Sequence, residues 1–275
     1  MSLDHQELTD IGFEHISGKR DRAMNINRVQ SAKQIGDKLP PPYPNGWFAV
    51  VESRDLKVGK MVSVDALGCA NLAIGGSVSG SCITCPFHQW RFNADGQCVG
   101  IPNVATVPAG ISIKKYHTME VDGAVWVWHD AEGRDPLWKV PEVPEMKYMS
   151  FRGRNEFMIN AHIQIGPSHV RLQFESPLGS LLVAQSVTPL SPLLQRVVTR
   201  VFTPNYNAVF GAFTVLAEAV QFKRDVAIWN SKRYVSAPAY VRSDKTIRAF
   251  RAWFMQFYSE SSISLKQAMQ KPLDW

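Results

Sequence analysis

The sequence predicts an α+β protein: an all-β portion comes first, and a portion in which long strands give way to helices follows. Three observations predict it. From Trp47 to about Val140, short apolar runs are separated by the turn dipeptides Gly75-Gly76, Asp95-Gly96 and Asp122-Gly123, the text of a small sandwich or barrel. From Ser168 to Val187, Val170, Leu172 and Phe174 alternate with Arg171 and Gln173, the period-two pattern of one or two long strands. After Tyr206, Phe210, Phe213, Ala217 and Val220 recur at helical spacing, and Ile247, Phe250, Phe254 and Phe257 do so again near the end.

Taken in order, residues 1–45 are a polar segment and linker. A weak helical pattern runs around Ile26, Val29 and Ala32, and the Pro-rich run Leu39 to Gly46 cannot continue a helix. Residues 46–141 form the β portion. It opens on the apolar strand Trp47–Val51 and closes on a turn and buried strand from Val121 to Trp128, with Pro136, Pro141 and Pro144 marking its end. Residues 150–275 form the α+β portion, whose aromatic stripes are expected to face a core rather than a cofactor.

Composition limits the function classes. The chain has 275 residues, 45% of them hydrophobic and 20% charged, within the ordinary globular range. Its net charge is +6, but the bases are scattered, with short clusters at Lys19-Arg20, Lys223-Arg224 and Arg248/Arg251. A solvated surface is the plain reading; an acidic redox partner or anionic lipid is the alternative. No basic run interleaved with stacking aromatics points to nucleic acid. The first residues carry no apolar signal core. The most apolar segment, Asn207 to Val220, includes Glu218 and is too short to span a bilayer. Four Cys without secretory features suit a reducing, intracellular compartment, where they serve as metal ligands or packing rather than disulfides.

The string Cys82-Ile-Thr-Cys85-Pro-Phe-His88-Gln-Trp90 is the most specific in the chain. A Rieske [2Fe–2S] centre takes two Cys on one iron and two His on the other. Cys85 and His88 match the second Cys–His pair of such a site. Around them, the runs Tyr43-Pro-Asn-Gly-Trp-Phe48, Gly68-Cys-Ala-Asn-Leu-Ala-Ile-Gly-Gly76, Arg152-Gly-Arg154, Ile159-Asn-Ala-His-Ile163, Gln221 to Tyr234 and Trp253 to Glu260 resemble the Neverland-type cholesterol 7-desaturases. These are animal Rieske non-haem-iron oxygenases that act on sterols.

The resemblance, from about Ile11 to Glu260, implies a Rieske-like all-β domain followed by a shortened helix-grip (START-like) α+β domain. It implies a [2Fe–2S] cluster with Cys85 and His88 among its ligands, and a mononuclear Fe(II) held by two His and a carboxylate, a geometry that leaves positions open for oxygen. It implies a sterol substrate, an NAD(P)H-dependent reductase as partner, homo-oligomer formation and membrane association. The implied reaction is oxygen-dependent removal of hydrogen from the sterol B ring.

The chain departs from that family at two places. Where the first Cys-x-His pair should stand, counting back from Asn71, the sequence has Asp65 and Leu67, and Leu67 cannot ligate iron. The join at Gly68/Cys69 reads as an internal deletion. A second join at Gln164/Ile165 stands where the family carries its iron-ligand His residues. His162 and His169 survive, His162 at a non-ligand position, and a replacement pair made of these two is the minor reading. Gln89 stands where the family has Gly, a position suggesting left-handed backbone. Cys82, Cys85 and His88, with Cys69 or Cys98, could alternatively hold zinc; packed thiols are the simpler reading. The sequence therefore reads as an incomplete and inactive form of a sterol desaturase. A non-catalytic sterol-binding or dominant-negative protein is the alternative.

Overall fold

A computed structural model describes residues 13–15, 39–64, 66–67, 75–160, 168–177, 179–230 and 238–270. The helical pattern expected around Ile26 to Ala32, the two joins and His162 lie outside the described residues.

The expected all-β portion forms two small sheets. One pairs β2 (Gly46–Glu52) with β8 (Ala124–His129), and β8 with β7 (Thr118–Val121), all antiparallel. Strand β8 alternates buried and half-buried residues, so Ala124, Trp126 and Trp128 turn inward onto Trp47, Val121 and Val140. Each indole N–H finds a backbone acceptor: Trp47 Nε1 donates to the Trp138 carbonyl at 2.6 Å and Trp128 Nε1 to that of Arg134 at 2.8 Å. Buried aromatics thereby keep their polar tips paired. The other sheet is a meander of very short strands, β3 (Ser77–Ser79), β4 (Cys82–Thr84), β5 (Arg91–Phe92) and β6 (Cys98–Gly100).

The α+β portion is built on one five-stranded antiparallel sheet. Its order is β1 (Phe13–His15), β9 (Ser150–Asn160), β12 (Leu194–Thr203), β11 (Gly179–Ser191) and β10 (His169–Ser176). The stretch read as one or two strands is a hairpin, His169 pairing Ser186 and Ser176 pairing Gly179. Helix α1 (Ala208–Asn230) crosses this sheet. Phe222 stacks on Phe157 with ring centres 4.4 Å apart and planes 13° from parallel, and Val226 joins Ile159, Val187 and Val197 in the same core. Two further helices follow, α2 (Lys245–Met255) and α3 (Leu265–Gln270).

The helical periodicity was correct, but the choice of buried face was not. Phe213 and Val220 are 64% and 52% exposed, and Ile247 and Phe250 are 56% and 40% exposed. Only Phe254 of the second predicted stripe is deeply buried. The cause is that α1 is apolar nearly all round, so spacing reveals a stripe without revealing which of two stripes meets the sheet.

Strands β11, β12 and β9 carry the contacts that join the two portions. Thr188 Oγ1 donates to the Ala49 carbonyl at 2.6 Å, Arg196 Nη1 to that of Val50 at 2.8 Å, and Arg200 Nη1 to that of Asp122. An ion-pair relay runs alongside. Arg54 meets Glu52 at 2.6 Å, Glu52 meets Arg154 at 2.7 Å, and Glu156 holds both Arg154 and Arg196. Burial alone would raise the Glu52 pKa, but Arg154 and Arg54 outweigh it and hold the carboxyl below its ordinary value.

Candidate metal centre

The candidate ligands lie in the loop between β4 and β5. Its ends are tied by the Cys85 N–H donating to the Trp90 carbonyl at 2.8 Å, and by the Gln89 N–H donating to the Cys85 carbonyl at 2.9 Å. To close so tightly the backbone passes through the left-handed region at Gln89, φ +59°. This is the conformation expected at the position where the family has glycine. Pro86 packs on a neighbouring turn: a Cβ built on Gly75 would lie 3.3 Å from Pro86 Cβ, and Gly75 itself has φ +77°. A side chain at Gly75 would thus meet both steric pressure and backbone strain.

The loop presents its two ligand types unevenly. Cys85 is half-buried, whereas His88 is exposed, with its ring edge-on to Phe87 at 4.6 Å and tilted to Trp90 at 6.5 Å. Phe87 is itself 84% exposed. Pro86 and Phe87, between Cys85 and His88, are exposed as His88 is, so this loop is open to water rather than packed.

The rest of the ligand set is not assembled. Leu67, at the position of the missing His, has φ +56°, and its N–H donates to the Pro189 carbonyl at 2.9 Å. Its side chain packs against Val50, Val51 and Ala66, with Val62, Val64, Val125 and Val127. Asp65 and Cys69 lie outside the described residues. Among the described residues no three His, Cys, Asp or Glu side chains come together to hold a metal ion. Cys82 is buried on β4, and Cys98 Sγ turns to the Gly100 carbonyl of its own strand. The zinc alternative that joins Cys82 and Cys98 to Cys85 and His88 is thereby corrected: those thiols are spent on packing.

His169, half of the minor replacement pair for Fe(II), begins β10. It lies edge-on to Trp126 at 5.5 Å, at the seam between the two portions. Burial holds its pKa below the ordinary value, with Arg200 and Arg171 adding to the effect. A neutral imidazole in an aromatic seam is a packing role. The described residues therefore do not fit a four-ligand [2Fe–2S] cluster, which needs two further ligands, nor a facial iron triad, since no three His, Cys, Asp or Glu side chains come together among them.

Known proteins place this arrangement. The solved structures of NdmB from Pseudomonas putida CBB5 (TM-score 0.60, 13% identity, covering 78% of this chain and 93% of that one) and of apo dicamba monooxygenase (0.55, 14%, 78% and 96%) share the fold. Residues 68–117 match the Rieske [2Fe-2S] domain, and residues 162–258 the 3-ketosteroid 9alpha-hydroxylase C-terminal domain. The architecture is thus that of a Rieske oxygenase: a cluster-type β domain on a helix-grip sheet. Within that class, the cholesterol 7-desaturase of Bombyx mori is 44% identical across 98% of this chain and 82% of its own length. That of Xenopus laevis is 32% identical across 93% and 80%. The chain belongs to the Neverland-type cholesterol 7-desaturase family.

The same alignment measures what is missing. It runs over 369 positions, and this chain has 275 residues, so the Bombyx mori relative carries at least 94 positions within the match (369 less 275) that have no counterpart here.

Proposed function

We propose that this chain is an internally shortened form of an oxygen- and NAD(P)H-dependent sterol 7-desaturase and does not turn over. The desaturase reading rests on the family and on both matched domains. The observation that carries the loss of activity is Leu67, packed into a valine cluster where the first ligand pair would place a His. In this reading the division is 46–141 for the cluster-type domain and 150–275 for the helix-grip domain. Cys85 and His88 are the retained second ligand pair. The joins at Gly68/Cys69 and Gln164/Ile165 are where the absent positions belong. A reductase is the partner of the complete enzyme, and an intracellular reducing compartment suits its thiols. No described helix is long and apolar enough to cross a membrane.

A second reading, a folded non-catalytic sterol-binding or dominant-negative protein, is favoured by one observation. The helix–sheet core and the inter-portion contacts close without the absent positions. Amplifying the transcript across both joins separates the readings. A longer message only, with Cys-x-His and the His-rich segment restored, removes the second reading. If the short message is real, purified protein should hold iron and acid-labile sulfide far below one cluster per chain and give no Rieske EPR signal. A stoichiometric cluster would overturn the assignment of Leu67 as a lost ligand.

A further inference from the structure

Among the described residues, helix α2 meets the body at its C-terminal end. Phe254 is buried, Phe257 contacts Trp138 at 5.7 Å and Trp253 at 5.0 Å, and the Phe257 carbonyl accepts from the Asn45 N–H at 2.7 Å. The earlier turns are exposed on all sides from Lys245 to Phe250. About 100° of rotation per residue gathers Trp253, Phe250, Phe254 and Ile247 into one arc of about 120°. Arg251, Arg248 and Lys245 gather into another of similar width, with Met255 as the large apolar exception within it. Trp253 and Met255 are 46% and 50% exposed, and the preceding Val241 and Tyr240 extend the apolar surface.

The charge on this spur has one sign. Arg242, Lys245, Arg248 and Arg251 fall within residues 242–255 against the single acid Asp244, whose Oδ2 is occupied in accepting the Val241 N–H at 2.9 Å. Among the described residues neither Lys245 nor Arg248 has a carboxylate partner within ion-pair distance. A helix burying its own apolar arc in the body would not leave Ile247, Phe250 and Trp253 in water beside the exposed Lys245 and Arg248. A short helix with an aromatic apolar face and a Lys/Arg polar face is instead the form that lies in the boundary between lipid headgroups and acyl chains. The aromatics enter the boundary, and the long cationic side chains reach back to the headgroups.

We propose that helix α2 is a peripheral docking element for an anionic phospholipid surface, with Ile247, Phe250 and Trp253 entering the headgroup boundary and Lys245 and Arg248 meeting lipid phosphates. The proposal does not rest on desaturase activity: vesicle binding is read without substrate, cluster or turnover, so its failure and the failure of the desaturase reading are separate results.

The test is co-sedimentation of the full chain with phosphatidylcholine vesicles, with and without phosphatidylserine. Binding should appear with phosphatidylserine and weaken as salt is raised. Lys245→Glu with Arg248→Glu should weaken it at least about tenfold, since each cation near an anionic surface is worth about 1 kcal/mol. Ile247→Ser with Phe250→Ser should weaken it as well. All four side chains are exposed, so circular dichroism of the variants should match the parent. A chain that stays in the supernatant overturns the proposal. So does loss on charge reversal with no effect of the Ser pair, which would mean adsorption to any anionic surface. If the chain binds no vesicles and light scattering finds a dimer that the Ser pair dissociates, the face belongs to a second copy instead.

Discussion

Gln89 shows how a single side chain can mark the history of a loop. Its φ of +59° lies where an L residue costs about 1–2 kcal/mol, whereas Gly adopts it freely. Gly would lose more backbone entropy on folding, about 0.5–1 kcal/mol, so the two effects oppose each other and the steric one wins. Gln89→Gly is therefore expected to stabilise the protein by up to about 1 kcal/mol, read as a higher denaturant midpoint at unchanged slope. An unchanged or lower midpoint would show that the Gln89 side chain compensates locally. This site was legible in the sequence because turn chemistry is local: the spacing Cys85-x-x-His88 and the residue after it specify one loop. Leu67 was equally legible as a non-ligand, since no fold makes an alkyl side chain coordinate iron. Its destination was not: packing into the Val50–Val51 cluster depends on strands far apart in sequence.

At the scale of elements, the closeness of α1 to its sheet decides the energetics. A Cβ built on Gly211 would lie 2.6 Å from Arg152 Cγ and 2.9 Å from Thr203 Cγ2. Arg152 is itself pinned, its Nε donating to Thr203 Oγ1 at 2.8 Å and its Nη2 to the Pro204 carbonyl at 3.0 Å. Helix propensity favours Ala over Gly by about 1 kcal/mol, but overpacking a pinned neighbour costs about 1–3 kcal/mol. Gly211→Ala should thus lower the melting temperature, against the propensity rule; a rise would mean that Arg152 can move away. On the same helix Glu218 faces the sheet. Burial raises its pKa above the ordinary 4.5, and hydrogen bonds from Asn155 and Thr199 oppose this without cancelling it. The folded carboxyl holds its proton more tightly than the unfolded one, so Glu218 makes stability fall as pH rises above about 4.5 through the raised value. Glu218→Gln keeps an acceptor for Asn155 and should remove that fall. Its denaturant midpoint relative to the parent should increase from pH 4 towards pH 7, and a constant difference would refute the raised pKa. The existence of α1 was legible in its spacing. Its buried face was not, because Val215, Phe222 and Val226 make one apolar stripe and Val209, Phe213, Leu216 and Val220 make another.

For the whole molecule, that second stripe is the part of the fold that stays in water. Val209, Phe213 and Leu216 are 86%, 64% and 68% exposed, and on the edge strand β10 Leu172 and Phe174 are 45% and 51% exposed. Exposed apolar side chains on a helix, and a strand edge that no other described strand pairs, are both features through which soluble proteins associate. The Bombyx mori relative has at least 94 further positions within the match (369 less 275). The expected outcome is a protein whose core is sound and whose surface limits it: it melts cooperatively yet self-associates as concentration rises. Phe213→Lys with Leu216→Glu tests the two properties apart. Substitution at exposed sites with no core partner should change stability by no more than about 0.5 kcal/mol, while the solubility limit rises clearly. A large drop in melting temperature would show these side chains to be structural. An unchanged solubility limit with an unchanged melt would move the liability to the edge of β10, where Phe174→Lys is the corresponding change.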